Sequence, residues 1–344
     1  MKKIALEEHF ISPAYAQHMR DLQSEGKTSV PGGPGMSPEF EAMLADPVMQ
    51  RGIAAVEAKL ADVGEGRLAA MDACGIDMQV LSLSALTFPP IQGESDTHQA
   101  ISMAWQANDY LAEQVHQHPD RYAGFAALPL QDSKVAADEL ERAVTQLGFK
   151  GALVNGHTNG SYLDERKFWG VWERAEQLGV PIYLHPADSQ SSQMKIYEGY
   201  PGLRSAVWNW TVETATHALR IICSGVFDAF PKAILLLGHM GEALPYTLRR
   251  IDDGWKGTPQ SKQLQHLPSY YFKNNVMITT SGNCSTEALI CALLAVGADH
   301  ILFSADYPYA PPDRMTQFVE TAPISEIDRE KICHLNAQRL LKLP

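Results

Sequence analysis

Ile301–Pro308 reads I-L-F-S-A-D-Y-P: apolar and small residues lead to Asp306, and a proline two places later stops the chain from continuing in a sheet. The pattern presents a carboxylate at the carboxyl end of a buried strand. The same layout occurs three more times. Ile4–Phe10 (I-A-L-E-E-H-F) ends in Glu7 and His9, Pro181–Pro186 (P-I-Y-L-H-P) in His185, and Ala233–His239 (A-I-L-L-L-G-H) in His239. Four apolar strands that each finish in a metal-capable side chain mark one end of a sheet as a place of chemistry.

Between these anchors the chain alternates. Met78–Leu83, Tyr122–Leu128, Gly151–Gly156 and Val276–Gly282 bring the expected strands to eight. Helices are expected over Gly66–Cys74, Asp96–His116, Lys134–Leu147, Lys167–Leu178, Val212–Ser224, Glu242–Asp252 and Thr286–Val296, with a closing helix over Ser325–Leu341. The strands are continuous apolar runs, which suits a parallel sheet covered on both faces. Gly148, Gly179 and Gly297 fall just past helical segments, where a C-cap belongs. The order predicts an α/β chain folded as a (β/α)8 barrel, one domain over residues 1–344. A doubly wound open sheet would need a glycine-rich phosphate loop after its first strand, and E-E-H-F is not one. Residues 11–60 lack sustained periodicity and carry P-G-G-P-G at Pro31–Gly35, so they read as an inserted loop with one or two short helices, a candidate lid.

With 344 residues, 45% of them hydrophobic, the chain can bury a large core, and its net charge of -12 argues against nucleic acid and anionic membrane as partners. No signal peptide or run of about 18 apolar residues is present, so a soluble, cytoplasmic protein is expected. The five cysteines, Cys74, Cys223, Cys284, Cys291 and Cys333, have no C-x-x-C spacing and read as reduced packing residues.

In a barrel the active site lies at the carboxyl ends of the strands. Alternation puts Glu7 and His9 on one face of their strand and Glu8 on the other. Glu7, His9, His185 and Asp306 together offer two imidazoles and two carboxylates, a set suited to Zn2+ or Mn2+. His239 sits in L-G-H-M-G-E, where Glu242 could orient the imidazole and raise its basicity. His239 is therefore expected as acid/base or electrostatic partner, with Glu242 as its orienter.

E-E-H-F, Y-L-H-P, L-G-H-M-G-E, T-T-S-G-N (Thr279–Asn283) and F-S-A-D-Y-P, in this order and with Phe125–Asp132 and Gly151–Gly156 between them, resemble the amidohydrolase-related family that contains the hydroxybenzoate decarboxylases. The likeness is closest to the γ-resorcylate (2,6-dihydroxybenzoate) and 2,3-dihydroxybenzoate decarboxylases, and it covers nearly the whole chain. It implies one divalent metal, Zn2+ or Mn2+, held by Glu7, His9, His185 and Asp306, with no organic cofactor. It implies His239 and Glu242 as catalytic partners and Arg250 near the substrate; Asp306, a carboxyl group close to metal and substrate, is expected to deliver the proton to the ring carbon. Lys150 falls just before Gly151–Gly156, so the bridging lysine of binuclear relatives is missing. The insert and Tyr307 stand where a substrate ring would be shaped, and Phe10, Trp208 and Trp210 are further aromatic candidates for lining the pocket. A homo-dimer or homo-tetramer is implied, with a small aromatic acid as substrate. The activity expected is non-oxidative decarboxylation of an ortho-hydroxylated aromatic acid. The alternative is a mononuclear metal hydrolase or hydratase acting on a lactone or unsaturated dicarboxylic acid, because barrels host many chemistries.

Overall fold

The computed structural model describes residues 1–24, 42–43, 45–84 and 91–344. Its parallel strands form two hydrogen-bonded sets. One holds β1 (Ile4–Phe10), β2 (Met78–Leu83) and β3 (Tyr122–Gly124). The other holds β4 (Ala126–Ala127), β5 (Ala152–Asn155), β6 (Ile182–His185), β7 (Leu235–Leu237), β8 (Val276–Thr279) and β9 (Ile301–Leu302). β3 and β4 are two halves of one expected strand, and Phe125 between them donates its amide to Leu81 while Ala126 donates to Gly151. The sets therefore meet there. On the other side His9 N donates to Tyr307 O at 2.8 Å and Glu7 N to Ser304 Oγ at 2.6 Å, so β1 also meets the chain leaving β9. The architecture is the expected (β/α)8 barrel.

Two apolar cores follow from the alternation of the strands. Inside the ring, Ile4, Leu6, Met78, Val80, Ala123, Phe125, Leu153, Tyr183, Leu236, Met277 and Leu302 pack together, plugged from one end by Ala337 and Leu341. The other face of each strand packs against the helices. β1 breaks the alternation in a way that matters. Ala5 pairs with Gln79 but Glu8 with Leu81, so Leu6 and Glu7 together oppose the single residue Val80. This bulge shifts the phase of the strand by one residue. Ile4 and Leu6 fill the interior, and past the bulge Glu7 and His9 point the same way. Without it, Glu8 and Phe10 would face the axis.

The expected helices are present with ends shifted by a few residues, and Thr286–Val296 matches at both ends. Pro268–Asn275 and Pro312–Thr321 are additional helices, both opened by a proline, which suits a first helical turn. Within the expected insert, Pro13–Ser24 and Pro47–Ala61 are helices of 12 and 15 residues, longer than the sequence suggested. Asp46 Oδ1 caps the second by accepting from Val48 N and Met49 N. Positions 25–41 and 44, and with them much of the candidate lid, lie outside the described residues. The closing helix is interrupted: between Glu326–Glu330 and Asn336–Leu341 the chain makes a wide π turn, Lys331–Leu335, where Ile332 O accepts from Phe303 N at 2.8 Å. Among the described residues no helix is long and apolar enough to cross a membrane, and none of the five cysteines is in a disulfide.

Candidate metal centre and active site

The barrel's carboxyl end gathers Glu7, His9, His185 and Asp306, whose ligand-capable atoms all lie within 4.8 Å of one another. Glu7 is anchored through one oxygen. Tyr183 and Ser281 both donate to its Oε2, and Tyr183 also bonds Thr279 at 2.8 Å. Its Oε1 is left facing His185 Nε2 at 3.4 Å. A side chain at position 238 would foul this arrangement, since a Cβ there would lie 2.6 Å from Glu7 Oε2; glycine is required by close approach. His9 is oriented from behind. The Ser82 hydroxyl reaches the Glu8 carbonyl at 3.5 Å and lies 3.2 Å from His9 Nδ1, so the serine oxygen can accept Nδ1–H and the Nε2 lone pair faces the cluster. His9 Nε2 is 3.4 Å from Asp306 Oδ1 without the alignment of a hydrogen bond.

The donor set fits a divalent cation. Glu7 Oε1, His9 Nε2 and Asp306 Oδ1 are buried with no hydrogen-bond partner among the described residues, and all three point at one another. Leaving a buried polar atom unpaired costs about 1–3 kcal/mol, more for a charged one, so such a cluster is costly unless something positive fills it. The protonation states agree. Burial, and then the nearby His9 ring, holds the His185 pKa well below the usual value, keeping the imidazole neutral and able to ligate. Burial pushes the Glu7 carboxyl up, and the neighbouring Asp306 adds to this. Two like charges forced together in this way favour a cation between them.

His239 and Glu242 lie beside the cluster. His239 Nδ1 is 2.7 Å from Glu242 Oε1, which fixes the proton on Nδ1, and Nε2 is 3.7 Å from Asp306 Oδ2. Burial disfavours the imidazolium, but the Glu242 and Glu7 carboxylates outweigh it and raise the His239 pKa well above its ordinary value. Burial also works against ionised Asp306, yet the neighbouring His239 and His9 imidazoles outweigh it and lower its pKa to about 2. The backbone that places this pair is unusual: His239, Met240, Gly241, Glu242 and Ala243 all have positive φ, as does Asp306 at 64°.

The remaining expected residues lie elsewhere. Phe10 packs in the outer core and stacks on Tyr110, because it shares the face of Glu8 and not that of His9. The Tyr307 ring lies 4.8 Å from the Arg67 guanidinium, outside the cluster. Arg250 is exposed on the helix Leu244–Trp255, where Leu244, Leu248 and Asp252 take the buried stripe. Trp208 is exposed, whereas Trp210 lies 6.4 Å from the His185 ring and donates to Asp188 Oδ1. Sequence reasoning missed Tyr309, whose ring is 5.2 Å from that of His9 and whose hydroxyl is 3.4 Å from Ser84 Oγ. It also missed Tyr183, although that residue sits two before His185 on the same strand face and could have been found by alternation.

A (β/α)8 barrel with this mixed cluster at its carboxyl end defines a class, the metal-dependent barrels of the amidohydrolase type. The sequence profile of the family described as Amidohydrolase matches residues 56–343, and the chain belongs to that family. It is 45% identical over 297 residues to the gamma-resorcylate decarboxylase of Polaromonas sp. (strain JS666), covering 84% of this chain and 90% of the relative. The crystal structure of a dihydroxybenzoic acid decarboxylase from the same organism, with bound manganese and the inhibitor 2-nitroresorcinol, superposes with a TM-score of 0.85 at 41% identity, over 99% of this chain and 97% of that one. A 5-carboxyvanillate decarboxylase of Novosphingobium aromaticivorans, complexed with manganese and 4-hydroxy-3-methoxy-5-nitrobenzoic acid, gives a TM-score of 0.88 at 32% identity, covering 99% and 96%.

Proposed function

We propose that the protein is a metal-dependent, non-oxidative decarboxylase of ortho-hydroxylated aromatic acids, a carboxy-lyase of the dihydroxybenzoate type. The observation that carries the reading is the convergence of Glu7, His9, His185 and Asp306 beside the His239–Glu242 pair. These four residues would hold one divalent cation, Mn2+ or Zn2+. When bound, it would supply Lewis acidity and a template for a carboxylate with an ortho-hydroxyl.

The chain's own residues handle the proton. Asp306 rests ionised, so a proton that reaches the ring carbon through it must start on a neighbour, and the His239 imidazolium at 3.7 Å is held protonated by Glu242. Transfer to the carbon bearing the carboxylate interrupts aromaticity. The carbon–carbon bond then breaks, its electron pair returns to the ring, and CO2 leaves. Tyr183 and Ser281 keep Glu7 from rotating, and the Tyr309 and Trp210 rings flank the two histidines as apolar walls. Residues 1–344 would work as one domain. A homo-dimer or homo-tetramer is supported by the exposed apolar side chains Ile196, Tyr200, Val207, Trp208 and Tyr246.

The test is CO2 release by Mn2+- and Zn2+-loaded protein from 2,6- and 2,3-dihydroxybenzoate, salicylate and 5-carboxyvanillate, with Asp306→Asn as control. Release from at least one acid, lost in the variant while metal stays bound, is the expected result. No release from any of them by metal-loaded protein would overturn the reading and send lactones to the assay.

A further inference from the structure

Behind β1, on the face away from the metal cluster, three buried polar residues form a chain the proposed reaction does not use. Glu8, Gln79 and Arg67 are all fully or almost fully buried. Glu8 Oε1 accepts from Ser304 Oγ at 3.1 Å and Ala305 N at 2.8 Å, and its Oε2 accepts from Tyr307 N at 3.3 Å and Gln79 Nε2 at 3.1 Å. The two backbone amides are those on either side of Asp306. At the other end, Gln79 Oε1 accepts from Arg67 Nη1 at 3.3 Å. Arg67 Nη2 donates to His9 O at 2.5 Å and to Lys59 O at 3.2 Å, and its Nε donates to Asp62 O at 2.9 Å.

We propose that Glu8, Gln79 and Arg67 act as one positioning unit that fixes His9 and Asp306 relative to each other. The inference rests on these two being metal ligands, and it deepens that reading. One end of the unit holds the His9 carbonyl, and the other holds the amides that flank Asp306. The two ends belong to different strands, and Gln79 on β2 bridges the Arg67 guanidinium and the Glu8 carboxyl, which make no direct ion pair among the described contacts; the His9 N–Tyr307 O bond runs beside this bridge. A buried polar group left without its partner costs about 1–3 kcal/mol, so each end is held in place by the need to keep its link. All four partners of Glu8 donate to it. Burial pushes its carboxyl up to about 8, and the bonds from Ala305 N and Ser304 Oγ work against that shift.

The unit exists because of the bulge in β1. Glu7 is turned to the interior opposite Val80, and Glu8 is thereby placed beside Gln79 on the outer face. Consecutive glutamates thus serve opposite sides of one strand: Glu7 as ligand, Glu8 as the anchor of another ligand's loop.

Gln79→Met removes the bridge without charge or a large volume change, and Glu8→Gln keeps shape while turning an acceptor into a donor opposite Tyr307 N–H and the Gln79 amide. Three readouts are taken on each folded variant: amide exchange of segment 303–309 in metal-free protein by mass spectrometry, Mn2+ affinity from the electron paramagnetic resonance of free Mn2+, and kcat against KM. Faster exchange in 303–309, Mn2+ affinity weaker by about 10–100-fold, and a fall in kcat larger than any rise in KM are expected. The double variant should be no worse than the more damaged single one, since one unit can be broken only once. Exchange in 303–309 and Mn2+ affinity both within twofold of wild type in folded Gln79→Met would overturn the proposal. Arg67→Lys, which keeps the charge but cannot reach His9 O and Gln79 Oε1 together, decides the matter if either variant fails to fold. Should the unaltered protein bind no Mn2+ or release no CO2, the decarboxylase reading fails, while exchange in 303–309 still judges the positioning unit.

Discussion

Acid should destabilise this protein through His217, a residue remote in function from the cluster. Its side chain is 0% exposed, its Nε2 accepts the Leu163 amide at 2.8 Å, and the Tyr162 ring meets it edge-on at 4.8 Å. Burial first, then the Arg220 guanidinium and the neighbouring His157 ring, lower its pKa from 6.5 to about 3. An imidazole depressed in this way stays neutral in the folded state where the unfolded chain is already protonated. Its contribution to stability is therefore complete above about pH 6.5 and is lost as the pH falls toward 3. At pH 4.5, two units below the unfolded value, the loss is roughly 3 kcal/mol, at about 1.4 kcal/mol per unit. The measurement is urea denaturation of metal-free protein at pH 7.5 and pH 4.5, for wild type and for His217→Gln, whose amide oxygen can still accept from Leu163. Other titrating groups cancel in the comparison. Wild type should lose roughly 3 kcal/mol more than the variant between the two pH values. Equal losses, within about 0.5 kcal/mol, would refute the assignment of a buried neutral imidazole.

Two substitutions probe the cluster itself. Gly238→Ala would put a methyl 2.6 Å from Glu7 Oε2, so the carboxylate must move; circular dichroism should stay that of a folded barrel while Mn2+ affinity drops by at least about 10-fold, and unchanged affinity would show that Glu7 is no ligand. Glu242→Gln keeps a group able to bond His239 Nδ1 but removes the charge that holds the imidazolium; metal content should persist while kcat falls by about 10–100-fold, and a rate within twofold of wild type would take the pair out of the proton path.

Much of this arrangement was legible because strand ends and side-chain chemistry coincide in the sequence. The eight apolar runs and the four residues that end them read directly as a barrel with one functional face, and the structure brings Glu7, His9, His185 and Asp306 together. Alternation also forecast that Glu7 and His9 share a face. It could not say which face, because Ile4 and Leu6 point inward too, and only the bulge opposite Val80 reconciles the two halves of β1. A bulge leaves no local mark in I-A-L-E-E-H-F. The same alternation argued against Phe10 facing the site, since it follows His9 directly. Tyr307 and Tyr309 illustrate a different limit: past the end of a strand the period of two no longer holds, so the aromatic nearer His9 is the second and not the first. Arg67 was invisible for a third reason, since a cation in a helical stretch reads as surface until the strand behind it is known to carry Gln79 and Glu8.

Several of the positions where the chain departs from regular geometry fall where the proposed chemistry needs reach. A residue at the end of an extended strand sends its side chain straight to one face, whereas a left-handed residue swings it over the barrel mouth. His239 and Asp306, the two groups assigned to the proton, both take this conformation, and His239 begins a run of five such residues. Each non-glycine residue so placed costs about 1–2 kcal/mol, so the run bearing His239, Met240, Glu242 and Ala243 stores several kcal/mol that surrounding contacts must offset. The contacts are present. Met240 and Glu242 are buried, and Glu242 is tied to His239. Around Asp306 the offset comes from Glu8, which accepts the amides of Ala305 and Tyr307 and so pins the turn from both sides. Glu8 therefore has a task that follows from the strain: a loop bent to present a carboxylate needs something to hold it bent. The neighbouring glutamate on the same strand is left free to serve the proposed metal site.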